Sequence, residues 1–184
     1  MGEALDYLFV MGYDGEFWDN VQCINQKTEP SCSNACAPYS VLVYGIESYI
    51  NKYKIAPEKL YLGLPWYGIK YEFIAGVPFQ TGQISYQDIM NVKRANLNST
   101  VTFDDKSKTN ILDCGGLCNP TPLKNEAFYS KIWYDDALSL SYKYRLAKDY
   151  KLKGVGMWDA TMLDYSSHSI NQPDTKAMWD AICQ

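Results

Sequence analysis

The apolar run from Asp6 to Asp14 constrains the fold of this chain more than any other stretch. Its length and nearly continuous hydrophobicity are typical of a strand that is buried on both faces. Alternation along such a strand places Phe9, Met11 and Tyr13 on one side. Asp14 follows at the carboxyl end, where parallel α/β barrels carry their chemistry. Tyr13 and Asp14 are therefore candidates for a substrate-facing site, and the alternative is a buried tyrosine that anchors a turn.

Two later stretches repeat this pattern of an apolar strand that ends in aromatic or acidic residues. The segment 60–68 contains Tyr67 near its end, and the segment 154–160 contains Trp158 followed by Asp159. Each of the three strands is followed by a segment with helical spacing of apolar residues. Short buried strands that alternate with helices predict successive βα units.

The sequence Met-Gly-Tyr-Asp at positions 11–14 resembles the MxYD signature of glycoside hydrolase family 18, the chitinase family. Positions 65–68 and 154–158 resemble the last two barrel strands of that family, and the stretch 132–158 is similar throughout. These matches follow the family's order along nearly the whole chain and are most similar to its chitobiase-like branch. The resemblance implies an α/β fold: the C-terminal part of a TIM (β/α)8 barrel, about three βα units, with a small α+β insertion between the last two strands.

The resemblance also implies three parts of the chain. Residues 1–68 would hold barrel βα units, from the MxYD strand through a helix to the next strand. Residues 69–132 would form the α+β insertion, which would make one wall of a substrate groove. Residues 133–184 would contain the final barrel helix, the last strand and a C-terminal helix.

Local signals place helices and strands within these parts. Apolar spacing predicts a helix over 39–53, and Ser85 is a candidate N-cap for a helix that runs to about Ala95. Short strands are predicted at 101–103, 110–112 and 126–133.

Asp135 or Asp136 is predicted to cap the helix that follows, and Pro173 is predicted to open the last helix. The apolar face of the helix after Asp136 would contain Leu138, Leu140, Tyr144 and Ala147. Lys143 and the basic residues after it are predicted to face solvent.

The resemblance implies hydrolysis of β-1,4-linked N-acetylglucosamine with retention, assisted by the acetamido group of the substrate itself. In this mechanism Tyr13 hydrogen-bonds the acetamido oxygen and Asp14 contacts the distorted sugar. Trp158 forms the floor beneath the sugar ring, and Met11 and Tyr67 line the pocket. No cofactor and no metal is implied. The partner would be a chitooligosaccharide or the N-acetylglucosamine of an N-glycan core.

The family's catalytic acid belongs to a DxxDxDxE motif upstream of MxYD, and no segment of these 184 residues fits that motif. The acidic pairs Asp104-Asp105 and Asp135-Asp136 lack its spacing. Without the acid, the remaining groups could bind a sugar but could not protonate a leaving group. We therefore expect a chain that is inactive alone, from a hydrolase whose front barrel half lies outside it. The alternatives are a chitinase-like lectin, which binds without cleaving, and an inactive truncated product.

Length and charge limit the other classes of function. A (β/α)8 barrel needs about 250 residues, and this chain has 184, which favours a partial barrel with an open strand edge. The net charge of −4 and the lack of a basic cluster argue against nucleic acid or an anionic membrane as partner. No apolar run approaches the roughly 18 residues of a membrane span. The acidic start lacks the features of a signal peptide.

Six cysteines are many for a cytosolic chain of this size, and they favour disulfides over a metal site. They are Cys23, Cys32, Cys36, Cys114, Cys118 and Cys183. A ligand pair of Cys32 and Cys36 is the weaker alternative, and the disulfide pairing stays open. Residues 98–100 form an N-glycosylation sequon. We expect the full-length protein to be lysosomal or secreted.

Overall fold

The computed structural model describes residues 5–14, 34–74, 77–118 and 128–183. In chain order, the elements are β1 (Leu8–Met11), α1 (Tyr39–Glu47), β2 (Leu60–Pro65), β3 (Tyr67–Ile74), β4 (Val77–Ser85), α2 (Tyr86–Ala95), β5 (Thr100–Asp104), β6 (Thr109–Asp113), β7 (Phe128–Tyr134), α3 (Ala137–Asp149), β8 (Gly154–Trp158) and α4 (Gln172–Ile182). The mixed α/β content predicted from the sequence is confirmed. None of the described helices combines the length and apolarity that a bilayer crossing demands.

β1, β2 and β8 form a three-stranded parallel sheet with β2 in the centre. The register pairs Val10 with Leu62 and Leu62 with Val155, so these side chains share one face. Helices α1 and α3 cover this face, where Leu62 and Leu64 pack with Leu140 in the main core. Burying each such side chain stabilises the fold by about 1.5–3 kcal/mol.

The prediction that β1 is buried on both faces is wrong. Phe9 and Met11 lie on the same side, as predicted, but they are 45% and 69% exposed. The ring of Phe9 lies over Gly63 and Gly156 and fills the space where a side chain would stand. A Cβ on these glycines would come within 2.2 and 2.6 Å of the ring. β1 is an edge strand, and the described residues leave this face of the sheet open. A continuous apolar run therefore does not require that both faces are covered within this chain.

The second sheet is antiparallel, with the strand order β4-β3-β7-β6-β5. The strands predicted at 101–103 and 110–112 are confirmed as β5 and β6. The strand predicted over 126–133 is observed as β7, which begins at Phe128, and its first predicted residues lie outside the described ranges. The hairpin of β3 and β4 was not predicted.

The predicted strand 60–68 is in fact the junction of the two sheets. The chain leaves the parallel sheet after Pro65 and enters the antiparallel sheet at Tyr67. Trp66 lies at the bend, fully buried, and its amide donates to the Trp158 carbonyl at 2.8 Å. Gly68 permits the close approach of β3 to β7, since a Cβ there would lie 2.7 Å from a backbone oxygen.

The predicted helix starts are confirmed by their caps. The Ser85 hydroxyl accepts from the Asp88 amide and caps α2. Asp136 and Ser139 form a reciprocal capping box at the start of α3. The helix predicted over 39–53 is observed as α1, which continues as a π-helical turn over Ser48–Lys52. These signals depend on residues within a few positions of one another, which is why the sequence predicts them.

The orientation predicted for α3 is partly wrong. Leu140, Tyr144 and Ala147 are buried as expected, but Leu138 is 60% exposed. Lys143 is completely buried instead of facing solvent. Its ammonium contacts both carboxylate oxygens of Asp135 at 2.7 Å, and this compensation makes the burial of the charge possible.

The prediction of disulfides is confirmed for one pair. Cys114 and Cys118 are joined by a disulfide and are both buried. Cys183 is exposed at the end of α4. Cys23 and Cys32 lie outside the described residues.

Candidate substrate-binding site

The carboxyl ends of β1, β2 and β8 meet at one edge of the parallel sheet. They bring together Tyr13, Asp14, Tyr67 and Trp158, which belong to three segments that are distant in the sequence. The rings of Tyr13 and Tyr67 meet edge to face at 6.3 Å, and those of Tyr13 and Trp158 are stacked at 6.5 Å. The candidate site is thus a cluster of three aromatic rings beside one carboxylate.

Tyr67 fixes the carboxylate of Asp14. Its hydroxyl donates a 2.5 Å hydrogen bond to Asp14 Oδ1, across 53 positions of sequence. Tyr67 is only 2% exposed, in a small core with Ile69 and Trp133. A buried donor on an ionised acceptor makes one of the stronger hydrogen bonds in proteins. Tyr67 therefore fixes the orientation of the Asp14 carboxylate.

Cys36 is a site residue that sequence reasoning missed. The Asp14 amide donates to Cys36 Sγ at 3.2 Å, and the same sulfur lies 3.7 Å from Asp14 Oδ1. Asp14 has a φ of 57°, in the left-handed region that aspartate tolerates better than most residues. The sulfur thus contacts both the backbone and the side chain at this unusual conformation. The contact spans 22 residues, so spacing in the sequence gives no signal for it.

The outer part of the cluster is open. Trp158 is 52% exposed, and Met11, the last residue of β1, is 69% exposed. In the register of the sheet, Met11 pairs with Gly63, which has no side chain and is covered by the ring of Phe9. Exposed indole and thioether groups next to fixed polar groups suit a flat, partly apolar ligand. The structure therefore brings Tyr13, Asp14, Tyr67 and Trp158 together, and the register places Met11 on the face of the sheet that carries Trp158.

The tyrosine hydroxyls of the site are held in the protonated form. Burial raises the pKa of Tyr67 from its ordinary value of 10.0, and Cys36 and Asp14 raise it further. Burial also raises the pKa of Tyr13, with added effects from Asp14 and then Cys36. Both hydroxyls therefore stay protonated at neutral pH: Tyr67 keeps its hydrogen bond to Asp14, and Tyr13 has a proton to donate to a ligand oxygen.

The two acidic pairs that the sequence analysis considered have structural roles. Asp135 is 4% exposed and bound to Lys143, while Asp136 caps α3. Asp104 accepts hydrogen bonds within the turn between β5 and β6, and Asp105 forms an ion pair there. Neither pair belongs to the candidate site.

The chain belongs to the glycosyl hydrolases family 18, whose family model matches residues 1–162. Human di-N-acetylchitobiase is 30% identical over 99% of this chain, and the rat protein is 31% identical over the same share. The chain spans about half the length of these curated relatives, 47% of the human protein and 50% of the rat protein. The predicted resemblance to the family and to its chitobiase-like branch is therefore confirmed.

Solved structures support the same fold. A chitinase from Cycas revoluta in complex with (GlcNAc)3 matches 98% of this chain with a TM-score of 0.65 and 23% identity. The chitinase-like agglutinin of Robinia pseudoacacia matches 96% of it with a TM-score of 0.63 and 25% identity. In each case this chain corresponds to 48% of the other. The fold is that of family 18 chitinases.

Proposed function

We propose that this chain is part of a chitinase- or chitobiase-like hydrolase that cleaves β-1,4-linked N-acetylglucosamine by substrate-assisted, retaining hydrolysis. One observation carries this proposal: Tyr13, Asp14 and Trp158 lie together at one edge of the parallel sheet, although they belong to two segments about 145 residues apart. Family membership supports the substrate class, and the (GlcNAc)3 complex of the Cycas chitinase supports a chitooligosaccharide as ligand. The N-acetylglucosamine of an N-glycan core is a ligand of the same chemistry.

In the proposed reaction the acetamido oxygen of the sugar attacks its own anomeric carbon, so the protein supplies no carboxylate nucleophile. The protonated Tyr13 hydroxyl donates to the acetamido group and holds it in position for the attack. Asp14, oriented by Tyr67, stabilises the positive charge that develops on the acetamido-derived ring. Trp158 offers an exposed ring face for the apolar side of the sugar, and Met11 lines the pocket beside it. These groups position the sugar and stabilise the charge that develops on it, and a separate acid must protonate the leaving oxygen.

We propose that the acid is supplied by residues outside this chain, in a DxxDxDxE motif of the full-length protein. The acidic pairs of the insertion and of α3 are bound in turns, caps and an ion pair, which supports an external source. On this proposal the chain alone is catalytically silent.

We also propose that the parallel sheet is an arc of a (β/α)8 barrel. Support comes from its parallel strands, from α1 between β1 and β2, and from α3 directly before β8. The segment 69–132 is then an α+β insertion between barrel parts 1–68 and 133–184. The open face with Phe9 and Met11 would be covered by the rest of the barrel, which closes the core. The disulfide between Cys114 and Cys118 supports a lysosomal or secreted location for the full-length protein.

A chitooligosaccharide-binding lectin is the second candidate. The similarity to the Robinia agglutinin, at 25% identity, favours it, since positioning groups without an acid would bind and not cleave. The coding sequence upstream and in frame with Met1 separates the two candidates. A complete DxxDxDxE motif supports the hydrolase, and the same motif without its terminal Glu supports the lectin.

The biochemical test uses the full-length protein and tri-N-acetylchitotriose. We expect cleavage with retention of the anomeric configuration, observed by proton NMR directly after mixing. Tyr13→Phe removes the donor to the acetamido group and is expected to lower kcat by about 10²–10³. Tyr44→Phe, on the exposed face of α1, is the matched control and should leave kcat unchanged. An inverted product, or full activity of Tyr13→Phe, would refute the mechanism.

A further inference from the structure

The turn between α2 and β5 displays the sequon 98–100 to solvent. Asn98 and Thr100 are both exposed, and Leu97 beside them is 94% exposed. The preceding Asn96 is different: it is 4% exposed, and its side-chain amide donates to the Val92 carbonyl at 2.7 Å. Asn96 is thus buried where α2 ends, whereas Asn98 is accessible to solvent.

The same turn leads directly into β5, whose outer edge has no neighbouring strand among the described residues. β5 is the outermost strand of the antiparallel sheet as described, and it begins at Thr100. Val101 is 40% exposed on it, whereas Phe103, 41% exposed, packs against Tyr142 of α3 and has the Lys108 ammonium over its ring. Exposed edge strands with apolar side chains favour pairing with other chains, and proteins usually protect them with lysine, proline or a covering element. β5 contains neither lysine nor proline.

We propose that Asn98 carries an N-linked oligosaccharide and that this glycan covers the β5 edge. The proposal rests on the lysosomal or secreted location proposed above. In the transfer, the Asn98 amide nitrogen bonds to the anomeric carbon of an oligosaccharide carried on a polyprenyl diphosphate. The bond from that carbon to the diphosphate oxygen breaks, the diphosphate leaves, and the nitrogen loses one proton. The only other Asn-x-Thr sequence, at 119–121, has proline in the middle and is excluded as an acceptor.

The test is expression of the chain behind a secretory leader in eukaryotic cells, followed by treatment with peptide-N-glycosidase. We expect one glycan on the parent chain and on Thr100→Ser, and none on Asn98→Gln or Thr100→Ala. Peptide mass spectrometry should find the deamidation left by the enzyme at Asn98. A parent chain without glycan, or a glycan at another residue, would overturn the proposal. Sugar transfer precedes any hydrolysis by this protein, so the result is independent of the proposed hydrolase activity.

The covering role has its own readout. In the full-length protein, Asn98→Gln, which lacks the glycan at this turn, should aggregate faster than the glycosylated parent in a light-scattering assay. Adding Val101→Lys to Asn98→Gln places a charge on β5 and should restore solubility, whereas Leu138→Lys, at an exposed position on α3, should not. Equal aggregation of the glycosylated and unglycosylated proteins would refute the role of the glycan at this edge.

Discussion

The Tyr67 hydroxyl, at the start of β3, and the Asp14 carboxylate, three residues after β1, are joined by a 2.5 Å hydrogen bond. We predict that Tyr67→Phe weakens the fold and the site together. The change leaves one carboxylate oxygen without its buried donor, and we expect the free energy of unfolding to fall by about 1.5–3 kcal/mol. Urea denaturation measures this loss.

Tyr150→Phe is the control for this prediction. Tyr150 donates a 2.8 Å hydrogen bond to Glu47, but that pair lies near the surface. Water replaces such a bond easily, so we expect a change of less than about 0.5 kcal/mol. Equal effects of the two substitutions would mean that the Tyr67 bond has no special role in holding Asp14.

The half-exposed ring of Trp158 gives a second prediction, on ligand affinity. Trp158→Ala removes the apolar surface proposed for the sugar face, and we expect the Kd for tri-N-acetylchitotriose to rise about 10- to 100-fold. Trp158→Phe keeps an aromatic ring and should lose less affinity for this ligand. Isothermal titration calorimetry on the full-length protein measures both. Tyr44→Ala, at a position that is 73% exposed on α1, should bind like the parent, and a parent-like Kd for Trp158→Ala would remove Trp158 from the site.

The buried ion pair of Lys143 and Asp135 gives a third prediction, on stability. Lys143→Met leaves a carboxylate buried without its cation, and the free energy of unfolding should fall by about 3–5 kcal/mol. Lys148→Met, at an exposed position of the same helix, should change it by less than about 0.5 kcal/mol. The double change Lys143→Met with Asp135→Asn should recover part of the loss. No recovery in denaturant unfolding would show that packing around Lys143, and not its charge, stabilises α3.

A fourth prediction concerns alkaline pH. Burial raises the pKa of four enclosed tyrosines above their ordinary value of 10.0: Tyr67, Tyr86, Tyr134 and Tyr144. Because the folded state keeps them protonated, their contribution to stability is complete below pH 10 and is lost as the pH rises further. Each should cost about 1.4 kcal/mol per pH unit above 10. Difference absorbance should therefore show these phenols ionising together with unfolding, whereas gradual ionisation in the folded protein would contradict their burial.

The starts of helices α2 and α3 could be predicted from the sequence, because the interactions at these positions are local. Ser85 meets the amide of Asp88, and Asp136 meets Ser139, in both cases three residues away. The same holds for the strands β5 and β6, which are joined by a short turn. The family signature at 11–14 identified Tyr13 and Asp14 as candidate site residues for a related reason. A family motif contains the functional groups that the fold uses, so it can be recognised without the structure.

Tertiary structure alone decided which of these residues touch and which are buried. Lys143 carries a charge that local patterns assign to solvent, and its burial depends on Asp135, directly after β7, and on Thr109, at the start of β6. Cys36 lies beside Asp14 only because the chain returns to the end of β1 after a long connection. A sequence determines backbone preference through neighbours a few positions apart. Burial, ion pairing and the geometry of a site depend on contacts between distant segments, and those exist only once the sheets and helices have packed.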